Sequence, residues 1–66
     1  MEVKRMTDRE IVFRLLRYEQ ANLRNYQNYL AYTKNKDLSA YIARTIPQIE
    51  GNIKSLNVLS RKLCGG

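Results

Sequence analysis

Leu30-Ala31-Tyr32-Thr33-Lys34-Asn35-Lys36-Asp37-Leu38 decides the fold of this chain. On either side of it apolar residues recur at helical spacing, over Thr7–Lys34 and again over Asp37–Leu63, and Asn35-Lys36-Asp37 interrupts the pattern. Asparagine readily takes the left-handed backbone that ends a helix. Aspartate caps the next one, and Lys34 brings the charge sign that a helix C-terminus favours. Each arm would span roughly 40 Å at 1.5 Å per residue, and a short turn between equal arms packs them antiparallel. The expectation is one all-α helical hairpin: a tail over 1–6, a first helix over 7–34, a turn over 35–37, a second helix over 38–63 and a tail over 64–66.

The first arm opens on a capping box, Thr7 with Glu10 three residues later, and Asp8 and Glu10 place negative charge at the positive end of the helix dipole. Its apolar stripe is Ile11, Val12, Leu15, Leu16, Leu23, Tyr26, Tyr29 and Leu30, with Arg14, Arg17, Gln20, Arg24 and Asn28 opposite. The second stripe is Leu38, Ile42, Ile46, Ile49, Ile53, Leu56 and Leu63, close to a heptad repeat. Pro47 interrupts it, because proline lacks an N–H and clashes with the carbonyl four residues back. Thr45 and Gln48 also make a capping-box pattern, so a break into a helix over 38–44 and a third helix is the competing reading. The apolar register passes through Pro47 without a phase jump, which favours one kinked helix. Gly51 lowers helix propensity one turn later.

A 66-residue chain has one domain and buries only about 60% of its unfolded surface. Scaffolds of this size need a staple: disulfides, a metal or oligomerisation. The single cysteine, Cys64, makes no intrachain disulfide, and there is no histidine to favour a metal. Oligomerisation remains, so the hairpin is expected to dimerise with a second copy into a four-helix bundle. The interface residues expected from the two stripes are Leu15, Leu16, Glu19, Leu23, Tyr26, Leu30, Ile42, Ile46, Ile49, Ile53 and Leu56. A formal charge of +6 admits an acidic protein or nucleic acid as a further partner. There is no apolar run of roughly 18 residues for a membrane span. The N-terminus shows no signal-peptide pattern, and one unpaired cysteine suits a reducing compartment, so a cytoplasmic location is expected.

Chemistry is sparse. Glu19 falls within the first apolar stripe, where an ionised carboxylate is costly unless it is paired. A carboxylate di-metal bundle would pair it with Glu-x-x-His on the next helix, but Glu50-Gly51-Asn52-Ile53 has isoleucine where the histidine belongs. The reading preferred for Glu19 is a hydrogen bond to Tyr26, Asn52, Ser60 or an arginine that fixes the register of the assembly. No nucleophile stands beside a base, and no glycine-rich phosphate loop exists, so no catalytic residue, metal or cofactor is expected. Tyr18, Tyr26, Tyr29, Tyr32 and Tyr41 gather toward the turn, with Tyr26 and Tyr29 on the stripe. Arg14, Arg17, Arg24 and Tyr18 are the candidate nucleic-acid contacts, combining charge with a ring on which bases stack.

The run Met6-Thr7-Asp8-Arg9-Glu10-Ile11, then Leu15-Leu16, Glu19 and Tyr26, followed by a turn and a second amphipathic helix, resembles the ferritin-like hairpin of the bacterial spore coat F family. The resemblance covers roughly residues 6–63. It implies a small structural coat or coat-associated protein with a ferritin-like helical core, located in the spore coat. The chain departs from that family in lacking histidine and in being shorter. The functional expectation is a non-enzymatic structural or protein-interaction module acting through helical assembly. The alternative is a basic nucleic-acid-binding hairpin dimer.

Overall fold

The computed structural model describes the backbone of residues 6–65 and the side chains of residues 6–63. It contains two helices, α1 (Asp8–Tyr32) and α2 (Lys36–Gly65), and no strand among the described residues. They pack antiparallel: Glu19 meets Asn52 midway, while Tyr29 and Leu38 line one groove beside the turn.

α1 has no internal glycine or proline, and its start is the expected capping box. The Thr7 hydroxyl oxygen accepts from the Glu10 backbone N–H at 3.1 Å, and the Thr7 N–H donates to the Glu10 carboxylate at 3.0 Å. The end differs from expectation. The helix stops at Tyr32, and Thr33 turns to extended backbone (φ −71°, ψ 141°) while its N–H still donates to the Tyr29 carbonyl at 2.9 Å. Lys34 therefore lies outside α1.

The turn is Thr33-Lys34-Asn35, two residues earlier than the 35–37 read from the sequence. Asn35 caps α2. Its side-chain oxygen accepts from the Leu38 N–H at 2.8 Å, and its carbonyl accepts the first helical bond, from Ser39, at 2.9 Å. Asn and Asp cap about equally well, so the asparagine, coming first, takes the role. Asp37 then sits inside the first turn, where its charge still favours the helix dipole.

α2 runs unbroken through Pro47, so the split into two helices does not occur. The carbonyl deprived of its donor by the proline belongs to Ala43, an exposed residue whose backbone water can reach. Thr45 donates its hydroxyl to the Tyr41 carbonyl at 2.8 Å, a side-chain bond that accompanies helix bending. The helix also continues through Cys64 and Gly65 rather than ending at Leu63. Of the expected tails over 1–6 and 64–66, residues 1–5 and 66 lie outside the described residues.

Packing between the helices is thin. Among the described residues only Ile42 and Ile49 are buried, at 4% and 6% exposure. Val12, Leu16, Leu23, Tyr26, Leu30, Ile46, Ile53 and Leu56 are half-buried. Fully burying one such side chain contributes about 1.5–3 kcal/mol, while ordering each backbone residue costs about 1–2 kcal/mol. Two full burials are a small return against that cost. The smallest dimension of the molecule is 13 Å, about the diameter of one helix with its side chains. The hairpin is a single layer, whereas stable domains pack at least two.

Candidate interaction face

The helical rotation of about 100° per residue sorts the remaining side chains into two unlike faces. On one face α1 presents Ile11, Leu15, Tyr18 and Tyr29, and α2 presents Leu38, Tyr41, Leu59 and Leu63. Each of these is at least 39% exposed. The opposite face carries Arg9, Gln20, Gln27, Glu50, Lys54, Asn57 and Arg61, with Phe13 as its main apolar residue. None of the helical lysines or arginines from Arg9 to Lys62 is centred on the apolar face; Arg14, Arg44 and Lys62 flank it.

Two features shape that face. At the turn end a groove of about 440 Å³ is lined by Tyr26, Tyr29, Tyr32, Leu38, Tyr41 and Ile42 among others. The rings of Tyr26 and Tyr29 stand 6.1 Å apart at 51°, a tilted pairing that aromatic quadrupoles favour. Midway along, half-buried Glu19 accepts from Asn52 Nδ2 of α2 at 3.0 Å and from Asn22 Nδ2 of its own helix at 3.4 Å. Of the partners proposed for Glu19 from the sequence, the structure selects Asn52. The cluster ties the two helices at one level and leaves the middle of the apolar face polar.

The expected interface residues divide. Leu16, Leu23, Tyr26, Leu30, Ile42, Ile46, Ile49, Ile53 and Leu56 turn mainly toward the other helix of the same hairpin, and Leu15 stays 48% exposed on the outer face. Tyr18, Tyr41 and Leu59 join the exposed face although the sequence reading left them out of the interface. The signal was there: they form a second row one step around each helix from the stripe.

The nucleic-acid candidates separate partly. Arg14, Arg17 and Tyr18 line one shallow depression with Glu10 and Phe13, and the Arg17 guanidinium sits 6.0 Å from the Phe13 ring centre, at the outer limit of a cation–π contact. Arg24 is exposed two turns further along and does not line it. Glu50 is exposed on the face away from Glu19. Among the described residues no three metal-ligating side chains gather into a site, and no helix is long and apolar enough to cross a membrane. No protein-family model, curated protein or solved structure matches the chain.

Proposed function

We propose that this chain is a non-enzymatic assembly module, half of a four-helix bundle that a second copy completes. The observation that carries the reading is the one-layer hairpin in which, among the described residues, only Ile42 and Ile49 are buried and a row of apolar side chains is left open on one face, interrupted midway by the Glu19 cluster. A contiguous apolar patch larger than a few hundred Å² marks an interaction site on a small protein. On this reading its role is structural or protein-binding. The resemblance to the spore coat F hairpin supplies a setting, a protein coat, in which such a module would serve. Thermal unfolding followed by circular dichroism across a hundredfold range of protein concentration tests it. Association that stabilises the fold raises Tm with concentration; a Tm independent of concentration overturns the proposal.

A second reading is a basic nucleic-acid-binding hairpin. It is favoured by the depression where Arg14, Arg17 and Tyr18 adjoin Phe13 along α1. Tyr18 belongs to the apolar face, so a second copy covering that face and a nucleic acid stacking on this ring would compete. A gel-shift titration at 50 and 200 mM salt decides it, because phosphate contacts weaken steeply with salt. No shift at low salt removes this reading.

A further inference from the structure

Three pairs of exposed apolar residues are placed symmetrically about the middle of the hairpin. On α1, Ile11 and Tyr29 are equidistant from Gln20, while Leu15 and Tyr18 are matched across that centre by the polar Asn25 and Asn22. On α2, Leu38 with Leu63, and Tyr41 with Leu59, are centred on Glu50 and Gly51. These two centres lie side by side, because Glu19 bonds Asn52 there. We infer that a second copy docks face to face with its turn at the opposite end, related by a two-fold axis that lies in the interface and crosses the helices at the level of Glu19 and Asn52. The inference rests on the assembly reading above and adds the face and the orientation.

Three observations choose this occupant and this arrangement. The first is charge. The chain carries +6, so copies repel least where they meet on the surface poorest in lysine and arginine, and the apolar face, which Arg14, Arg44 and Lys62 merely flank, is that surface. An acidic partner or a nucleic acid would seek the other side. The second is area. From their fractional exposures, the apolar side chains on this face leave on the order of 800 Å² open, about what each partner buries in a standard interface.

The third is shape. The turn end is a concave tyrosine-lined groove, while at the open end Ile11 and Leu59 stand exposed on this face and Leu63, at its edge, lines a separate hollow with Arg9 and Phe13. An axis across the helices seats the exposed aliphatic side chains of one copy against the groove end of the other: Ile11 on Tyr29 and Leu59 on Tyr41. An axis along the helices would lay groove on groove and bring both Lys34–Lys36 turns together. At the crossing axis the two Glu19 clusters face each other. An amide nitrogen has two N–H groups, so Asn22 and Asn52 each keep one to donate to Glu19 of the second copy. Any slip along the face would move Glu19 under apolar side chains.

Spin labels read both the partner and its orientation. With Cys64 replaced by serine, a label is placed at Tyr32→Cys, a residue 83% exposed, and separately at Asn28→Cys, also exposed. Pulsed dipolar spectroscopy on the crossed arrangement should give a separation of about 36 Å at position 32 and about 12 Å less at position 28, from 1.5 Å of rise per residue counted from Gln20. Equal separations at the two positions overturn the crossed axis and leave the dimer standing. Absence of any dipolar signal at either position overturns the dimer as well.

Discussion

Glu19 and Asn52 form the described side-chain hydrogen bond between the helices, and the energy of that bond should be separable from everything else the two residues do. Removing Asn52 by Asn52→Ala deletes the 3.0 Å contact. A hydrogen bond to a charged acceptor contributes about 1.5–3 kcal/mol when shielded. Here Glu19 is half-buried and Asn52 exposed, so solvent competition lowers the expected contribution to about 1 kcal/mol. The same substitution gains about 0.5 kcal/mol of helix propensity in α2. The net loss for the single variant is thus only about 0.5 kcal/mol, or a few degrees in Tm. Glu19→Ala removes the bonds to both Asn52 and Asn22, with a smaller gain in propensity because glutamate is already a good helix former.

The double-mutant cycle through Glu19→Ala, Asn52→Ala and the pair cancels the propensity changes and leaves the coupling, expected at about 1 kcal/mol and favourable. The assay is urea unfolding followed at 222 nm, with all four proteins at one concentration, because association makes stability concentration-dependent. A coupling within about 0.3 kcal/mol of zero, the ordinary error of additivity, would refute the claim that this pair ties the helices together.

Ile49, 6% exposed, is one of the two buried hydrophobic side chains among the described residues. Ile49→Ala should cost about 2–4 kcal/mol, enough to leave the chain largely unfolded at room temperature by circular dichroism. Gly51→Ala should act in the opposite direction. A Cβ there meets nothing within 4 Å, so helix propensity alone raises stability by up to about 1 kcal/mol, seen as a higher Tm. Asn35→Ala removes the acceptor for the Leu38 N–H and should cost about 1 kcal/mol. Asp37→Ala, which leaves that cap intact, should cost less, and the reverse ranking in urea unfolding would return the cap to Asp37.

The hairpin was legible because it depends on periodicity. Two apolar stripes flanking Asn35-Lys36-Asp37 fix two helices whatever the turn geometry, and the capping box at Thr7 and Glu10 is a local pattern that survives in the structure. The turn moved by two residues because Asn35 and Asp37 are both competent caps, and pattern does not rank them. The unbroken passage through Pro47 followed from the unshifted apolar register around it. The outer face was harder to read. Leu15 and Leu59 are as hydrophobic as the residues that pair the helices, and composition does not say which row turns inward. Only when Ile42 and Ile49 are placed between the helices do Ile11, Tyr18, Tyr41 and Leu59 become the row left over. Glu19 stood out as a carboxylate within an apolar stripe and Asn52 was among its candidate partners, but choosing it over Tyr26, Ser60 or an arginine needed the exact level at which the two helices meet.

Sedimentation equilibrium of the untagged chain at micromolar concentration tests the account at its centre. A one-layer hairpin that needs a second copy to cover its apolar face should sediment at twice the 7.8 kDa chain mass. A stably folded species at the mass of a single chain would contradict it.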